Sequence, residues 1–181
     1  MTNSCCFDRK GVTLWFTGLP CSGKSAVADR VADILKSKGF YAERLDGDNV
    51  RQDLTRDLGF SKKDRDENIR RVTFVAKLLT RNGVVVLTSF ISPYKEMRSH
   101  ARTQIGSFLE VYVKCPIEVC IERDVKGMYK KAMRGEIKEF TGVSDPYEEP
   151  ETPELVLETD KETLDESVGK VLAKLEELGF I

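Results

Sequence analysis

An α/β fold, with a parallel sheet and helices on both of its faces, is predicted by two features of the sequence. Short apolar segments rich in β-branched and aromatic residues alternate with longer segments whose apolar residues recur at helical spacing. Strands that alternate with helices form parallel sheets, because each helix crosses back over the sheet to the start of the next strand. The 181 residues show no internal repeat and no linker, so we expect one domain over residues 1–181.

The first strand and the first helix are the most sharply defined elements. Val12–Thr17 is apolar and ends at a glycine, which predicts a buried strand. Residues 25–38 carry apolar side chains at helical spacing, and Gly39 marks the end of that helix. The later strands are predicted at residues 40–45, residues 83–88, Phe108–Lys114 and Leu155–Glu158. The later helices are predicted at residues 68–81, after Pro116, and at residues 164–178.

Residues 125–153 follow neither pattern. They are rich in Lys, Glu, Gly and Pro and show little hydrophobic periodicity. This is long for a connection in a compact domain, and long connections of this kind are often lids over a binding site. We therefore expect a lid segment in addition to the sheet and its helices.

Charge and hydropathy narrow the classes of function. Lys and Arg total 29 and Asp and Glu total 30, so the formal net charge is −1. No general basic field is present to hold nucleic acid, and an anionic ligand must be met by a local group of cations. Apolar runs such as residues 84–87 are far too short to span a bilayer. The first ten residues lack the apolar core of a signal peptide, so we expect a cytoplasmic protein that does not bind membranes.

Cysteine and histidine content argues against a zinc site or a Ser-His-Asp triad. The one histidine, His100, is expected on a solvated helix. The cysteines include no CxxC pair, and we expect all five to be structural or incidental: Cys5, Cys6, Cys21, Cys115 and Cys120.

A phosphate-binding loop is predicted where GLPCSGKS matches the pattern G-x-x-x-x-G-K-[ST]. It lies between a buried strand and an amphipathic helix, which is the arrangement of P-loop NTPase-type sheets. Lys24 is expected to neutralise the β- and γ-phosphates, and the Ser25 hydroxyl to join a Mg²⁺ shell. A glycine-rich turn that only caps a helix is the alternative. The residues predicted to bind ATP in this loop are Gly18, Leu19, Pro20, Cys21, Ser22, Gly23, Lys24 and Ser25.

Two carboxylates, Asp46 and Asp48, follow the second predicted strand in the segment DGDNVR. Parallel sheets bind ligands at the carboxyl ends of their strands, so both are expected to face the γ-phosphate. We assign a metal-binding role to Asp46 and a catalytic role, accepting the proton of an attacking hydroxyl, to Asp48. The alternative is an acidic turn that leads into a helix N-cap.

Two further segments are less specific when taken alone. DRDENIRR at residues 64–71 contains arginines that suit phosphate, sulfate or carboxylate, but it fits a solvated, salt-bridged helix face equally well. Ser92 lies in FISPY, just past the central strand, and a serine before proline is more often a turn residue.

Together these segments resemble the adenylylsulfate kinase family over nearly the whole chain. Their number and order are far more specific than the phosphate loop alone. The matching segments are LWFTGLPCSGKS at 14–25, DGDNVR at 46–51, DLGFS at 57–61, DRDENIRR at 64–71, FISPY at 90–94, KGMYKKA at 126–132 and KEFTGVSDPYEEP at 138–150.

The resemblance implies a reaction and its participants. The γ-phosphoryl group of ATP would be transferred to the 3′-hydroxyl of adenylyl sulfate (APS), giving 3′-phosphoadenylyl sulfate in sulfate assimilation. Mg²⁺ is the implied cofactor, and a homodimer is the implied assembly.

The resemblance also implies which residues surround the acceptor. Arg51, Arg65 and Asn68 would hold the phosphosulfate and ribose of APS. Phe60 and Phe140 would stack on its adenine. Arg123, just before the lid, is expected to stack on the adenine of ATP. The set comprises Asp46, Arg51, Phe60, Arg65, Asn68, Ile91, Ser92, Lys126 and Phe140.

Ser92 falls on the serine that descriptions of the family mark as a phosphoserine intermediate, which would make it catalytic. In-line phosphoryl transfer needs only positioning and charge neutralisation. We therefore expect Ser92 to shape the acceptor pocket instead.

Two other functions remain open from the sequence. A different phosphate-loop kinase would act on a nucleoside monophosphate or a small alcohol, although the two phenylalanines and the DGDN and DRDENIRR segments argue against it. A catalytically inactive nucleotide-binding regulator would keep the phosphate loop but would not need the acceptor-side residues intact.

Overall fold

The computed structural model describes residues 10–181, in which five parallel strands form one sheet in the order β2-β3-β1-β4-β5. The strands are β1 Val12–Thr17, β2 Ala42–Asp46, β3 Val85–Ser89, β4 Phe108–Lys114 and β5 Leu155–Glu158. The helices are α1 Lys24–Ser37, α2 Gly47–Gln52, α3 Lys62–Thr80, α4 Lys95–Ile105, α5 Ile117–Arg123, α6 Met128–Met133 and α7 Leu164–Glu177. The predicted fold class is confirmed.

Both faces of the sheet are covered, and β1 is buried at every position. Leu14 and Phe16 are buried among residues of α1 and α7 on one face. Trp15 is buried on the other face, among residues of α3 and α4. A strand buried on both faces needs no polar alternation, so it appears in the sequence as a continuous apolar run.

Several helices depart from the prediction. Helix α3 begins at Lys62, six residues before the predicted start, because the Ser61 hydroxyl accepts a hydrogen bond from the Asp64 amide (3.2 Å) and caps the helix. Helices α2 and α6 were not predicted as separate elements, and a helix was expected around His100 without predicted bounds. His100 is exposed on α4, as expected, and Cys115 and Cys120 are buried.

The strands all end at one edge of the sheet, and that edge carries the predicted site. In the strand register, Asp46 is level with Ser89, and Ser89 is level with Phe16. The phosphate loop therefore leaves β1 next to the segments that follow β2 and β3. The helices formed by residues 10–181 include none long and apolar enough to cross a bilayer.

The predicted lid packs onto the phosphate loop. Tyr129 of α6 and Phe140 are buried with Cys115, just before α5, and with Cys120 of α5. A side chain at Gly142 would come within 3.0 Å of Leu19, so the glycine allows this close approach. Two cysteines of the sequence, Cys5 and Cys6, lie outside the described residues, as does most of the segment considered for a signal peptide.

Candidate active site

The phosphate loop has the backbone conformation that its glycines permit. Gly18 and Gly23 have φ values of 151° and 98°, in the region that favours glycine. A Cβ atom on Gly18 would lie 2.4 Å from the carbonyl oxygen of Val113. Helix α1 starts at Lys24, and no side chain caps it. Its first amides therefore point into the loop as donors for an anion.

Lys24 is held inside this loop. Its Nζ donates hydrogen bonds to the carbonyl oxygens of Gly18 (2.9 Å) and Leu19 (2.6 Å). Burial lowers the pKa of Lys24 to about 8, against the smaller opposing effects of three nearby cysteines and of Asp46. Phosphate oxygens would favour the charged form of this amine, so the loop is electrostatically prepared for a polyanion.

Ser25 and Asp46 meet at the mouth of the loop. The Ser25 hydroxyl donates to Oδ2 of Asp46 at 2.8 Å. Oδ1 of Asp46 accepts from the Asp48 amide at 3.0 Å, so Asp46 is also the N-cap of α2. The carboxylate of Asp46 thus caps a helix, as one interpretation of the sequence expected, and it also lies against the phosphate loop.

These oxygen atoms fit Mg²⁺ bound together with a nucleotide. Magnesium prefers hard oxygen ligands and usually takes one or two from the protein, with phosphates and water completing its shell. Within residues 10–181, no group of three or more His, Cys, Asp and Glu side chains could hold a metal by itself. The hydroxyl of Ser25 and the carboxylate of Asp46 are therefore suited to a metal that arrives with ATP.

Arg44 of β2 supports Asp46 and was not predicted from the sequence. Its Nη2 lies 3.4 Å from Oδ2 of Asp46, and its Nη1 donates to the Leu87 carbonyl (2.8 Å) and the Ser89 hydroxyl (3.1 Å). Its Nε pairs with Asp29 at 2.7 Å. The only feature of the sequence that marked Arg44 was its charge within a predicted strand.

The lid reaches the acidic pair through Lys126. Its Nζ forms an ion pair with Oδ2 of Asp48, and this hydrogen bond raises the pKa of Lys126. Both side chains are more than half exposed. The structure thus joins a predicted lid residue to a predicted catalytic carboxylate.

Arg65 connects the two segments that carry the predicted aromatic pair. It is buried, and its guanidinium donates to the carbonyl oxygens of Phe60 (2.7 Å) and Glu139, the residue before Phe140. It also donates to the Thr141 hydroxyl at 2.7 Å. One arginine therefore fixes the start of α3 against the lid.

The two phenylalanines have different surroundings. Phe60 is 59% exposed, and the guanidinium carbon of Arg51 lies 4.3 Å from its ring centroid. Phe140 is only 9% exposed, and its ring packs edge-to-face on Tyr129 with centroids 5.0 Å apart. Asn68, also predicted at the acceptor, accepts a hydrogen bond from the Thr55 hydroxyl at 2.8 Å.

Ser92 follows Ile91 just beyond β3 and is 2% exposed. Its hydroxyl accepts a hydrogen bond from Nε1 of Trp15 and donates to the hydroxyl of Thr17, both at 3.1 Å. Thr17 in turn donates to the Ile91 carbonyl at 2.7 Å. This network joins the loop after β3 to the last residue of β1.

Arg123 lies on the opposite side of the phosphate loop. Its Nη2 donates to the carbonyl oxygen of Thr159, just after β5, at 2.6 Å. The Thr159 hydroxyl donates to the Ser22 carbonyl at 2.7 Å. Since β5 and β2 are at opposite edges of the sheet, the predicted ATP-adenine residue and the acidic pair flank the loop from two sides.

Comparison with known proteins identifies the family. A family model described as adenylylsulphate kinase matches residues 10–158. An adenylyl-sulfate kinase from Halothermothrix orenii is 63% identical over 174 residues, which cover 96% of this chain and 94% of that protein. An APS kinase structure from Mycobacterium tuberculosis in complex with AMPPNP and APS matches with a TM-score of 0.90 and 46% identity, covering 93% of this chain and 99% of that chain.

A hexameric APS kinase from Thiobacillus denitrificans is also similar, with a TM-score of 0.74 and 36% identity; the match covers 97% of this chain and 30% of that longer chain. Sequence and fold agree with these matches over nearly the whole length of this chain. The family predicted from the sequence is confirmed: the chain belongs to the adenylylsulfate kinase family.

Proposed function

We propose that this kinase holds MgATP on the phosphate loop and APS on the β2–β3 side, and that it transfers the γ-phosphoryl group in line to the 3′-hydroxyl of APS. The observation that carries the proposal is the 2.8 Å contact between Ser25 and Asp46. It brings the acidic segment after β2 against the loop where the γ-phosphate would lie. An acceptor bound on that side would thus meet the donor at the sheet's carboxyl edge.

On the donor side, the work of this chain is charge neutralisation. Lys24 would exchange its loop carbonyls for β- and γ-phosphate oxygens, and the amides at the start of α1 would bind the same groups. Mg²⁺, held by Ser25 and Asp46, would neutralise phosphate charge when bound. Arg123 would place its guanidinium plane on the adenine of ATP.

On the acceptor side, Asp48 is the group we propose to accept the proton of the 3′-hydroxyl. Lys126 pairs with it and would hold the carboxylate in place beside the 3′-hydroxyl. The lid that carries Lys126 would then close over both nucleotides and limit the access of water.

The adenine and phosphosulfate of APS are proposed to bind between α2, the start of α3 and the lid. Phe60 offers an exposed ring for stacking, and Arg51 lies against it. Arg65 and Asn68 lie behind this surface, where their polar groups can hold the ribose and phosphosulfate. Phe140 would contribute the second aromatic surface, although its ring is packed against Tyr129 without ligand.

Ser92 is proposed to support the loop after β3, residues 90–94, which we term the acceptor loop, and not to carry phosphate. Its hydroxyl is buried and engaged as both donor and acceptor. Phosphorylation would remove the proton that the hydroxyl donates to Thr17 and bring a dianion into a buried position.

A panel of acceptors tests the proposal. Purified protein with MgATP should phosphorylate APS, while AMP, adenosine and a simple alcohol should give at most background turnover. Product identity should be checked by chromatography against 3′-phosphoadenylyl sulfate. Equal turnover of AMP would refute the acceptor assignment, and no turnover of any acceptor would favour a regulator.

We also propose a cytoplasmic homodimer that serves sulfate assimilation. The proposal rests on family membership. Light scattering should give twice the chain mass, whereas a mass six times the chain mass would match the Thiobacillus denitrificans enzyme instead. Expression in a bacterium that lacks this kinase should restore growth on sulfate, and the protein should fractionate with the cytoplasm.

A further inference from the structure

Helix α4 carries a buried arginine outside the predicted site. Arg98 is 3% exposed, and its guanidinium forms three short hydrogen bonds. Nε donates to Oε1 of Glu110 (2.7 Å), Nη1 donates to the Ser92 carbonyl (2.7 Å), and Nη2 donates to the Glu148 carbonyl (2.6 Å). These partners lie on β4, on the loop after β3 and near the end of the predicted lid, so one side chain joins three separate parts of the fold.

The contact with Ser92 holds a strained backbone position. Ser92 has a φ of 40°, a conformation that side chains other than glycine seldom adopt. Such a residue keeps this conformation only where its surroundings impose it. Arg98 binds its carbonyl oxygen, while Trp15 and Thr17 bind its hydroxyl. The backbone and the side chain of Ser92 are therefore fixed independently.

The contact with Glu148 is one of several that attach residues 147–154, which we term the strap, to α4 and the acceptor loop. The Glu148 amide donates to the Pro93 carbonyl at 2.8 Å, and its carboxylate accepts from the Lys95 amide at 2.7 Å, which caps α4. Near the other end of the strap, Glu154 pairs with Arg102 at 2.6 Å. The end of the predicted lid is thus anchored to α4 and to the acceptor loop.

We propose that Arg98 is a positioning residue for the phosphoryl acceptor, because it fixes the loop at Ser92 and the strap in one arrangement on the acceptor side of the site. The inference rests on the proposed function. Only a guanidinium can satisfy these partners together, since its five donors point in fixed directions from one plane. Glu110 supplies the opposite charge that makes the burial of Arg98 tolerable.

This role predicts an asymmetric effect on the two substrates. The acceptor loop and the strap lie on the APS side, while Lys24 and Arg123 hold the ATP side. A small shift of the acceptor loop would misalign the hydroxyl, and a misplacement of about 1 Å can reduce the rate about 100-fold. Binding of MgATP should be unaffected.

The test compares Arg98→Lys with Arg102→Lys. Lysine at position 98 keeps the charge beside Glu110 but cannot bond to three partners. Arg102 pairs with the same Glu110 and with Glu154 at the far end of the strap, but it contacts neither the acceptor loop nor Glu148. Lysine at position 102 can keep both ion pairs, so this variant is a matched control. We expect Arg98→Lys to raise the KM for APS about tenfold and to lower kcat/KM for APS about 100-fold. The Kd of an ATP analogue should stay within about twofold, as should all parameters of Arg102→Lys.

Hydrogen exchange gives a second readout that does not depend on turnover. In Arg98→Lys, the amides of residues 90–92, 94 and 147–149 should exchange faster, while those of α1 should not change. If the wild-type protein does not phosphorylate APS, the proposed function fails. The exchange data still test whether Arg98 holds the acceptor loop and the strap in place.

Three results would overturn the positioning role. One is an unchanged kcat/KM for APS in Arg98→Lys. Another is an equal loss of affinity for APS and for the ATP analogue together with a reduced fraction of active protein, which would indicate a general structural role. The third is unchanged exchange in both segments. If Arg98→Lys does not fold, Glu110→Gln retains the arginine with a weakened partner and should shift the KM for APS in the same direction by a smaller factor.

Discussion

The indole of Trp15 donates a hydrogen bond to the hydroxyl of Ser92 across 3.1 Å, and both side chains are buried. The Ser92 hydroxyl donates its own proton to Thr17. A serine held in this way is well placed to define the acceptor loop and poorly placed to attack a phosphate. Burial and hydrogen bonding therefore favour the supporting role that was expected from the in-line mechanism.

We predict that Ser92→Ala retains substantial activity, with kcat lowered about tenfold or less. Its stability should fall by about 1–2 kcal/mol, because the Trp15 indole loses its acceptor in a buried position. Urea denaturation and steady-state kinetics measure the two effects. An acid-quenched reaction with γ-labelled ATP should leave no label on the protein. Complete loss of turnover with unchanged APS binding would instead favour a covalent intermediate.

Substitutions of the two phenylalanines that are predicted to stack on the adenine of APS should separate an effect on APS binding from an effect on protein stability. Phe60→Ala should raise the KM for APS about 10- to 100-fold, as expected when a stacked base loses its aromatic partner. It should hardly affect stability, since Phe60 is 59% exposed. Phe140→Ala should also weaken APS binding but cost about 3 kcal/mol of stability, because it leaves a cavity against Tyr129.

Chemical denaturation and APS titrations of both variants give this comparison. Phe74, which is equally exposed on α3, provides a control: Phe74→Ala should leave the KM for APS unchanged. A normal KM in Phe60→Ala would remove that ring from the acceptor site.

The sheet could be predicted because its strands are apolar in themselves. Val12–Thr17, Phe108–Lys114 and Leu155–Glu158 have the bounds expected from the sequence. Helix starts on the acceptor side were harder to place. The first turns of α3 contain mainly charged residues, so its start depends on the cap at Ser61 and not on hydrophobic periodicity.

In the site, too, residues whose geometry depends on local sequence could be predicted, and residues whose geometry depends on distant contacts could not. Lys24 and Ser25 could be placed from one continuous motif, because their geometry follows from a strand, a turn and a helix. Arg44 and Arg98 could not, since each also binds a partner that is distant in the chain: Arg44 binds the Leu87 carbonyl, and Arg98 binds the Glu148 carbonyl, 50 residues away. Pattern and spacing do not report which charged side chains the fold will bury together.

Lys126 should be important for turnover and unimportant for folding. We predict that Lys126→Gln lowers kcat about 10- to 100-fold, because it removes a cation that pairs with Asp48 over the site. The melting temperature should not change, since exposed ion pairs contribute little to stability. Lys131→Gln, at another exposed lysine of the lid, is the control. Equal kcat values for the two variants would contradict the role of Lys126.

The buried amine of Lys24 should make ATP binding dependent on pH. Its pKa is lowered by burial from 10.5 to about 8, so the free loop loses its positive charge above that pH. A phosphate monoester loses its last proton at about pH 6. By the same chemistry the phosphates of ATP carry their full charge at pH 8, so the ligand contributes little to a change above that pH. We expect the association constant for MgATP to fall above pH 8, by at most tenfold per pH unit.

The same shift has the opposite sign for folding. Between about pH 8 and 10.5 the unfolded chain holds the Lys24 proton and the folded chain does not, so this group makes nucleotide-free protein more stable as the pH rises.

Calorimetric titrations at pH 7 to 9.5, in two buffers of different ionisation enthalpy, should show proton uptake on ATP binding at the alkaline end. Lys24→Ala should abolish that uptake and lose most of kcat, about 100-fold or more, because the transition-state charge is no longer neutralised. A pH-independent affinity in the wild-type protein would mean that Lys24 is not titrating near pH 8, and near-normal kcat in Lys24→Ala would refute its catalytic role.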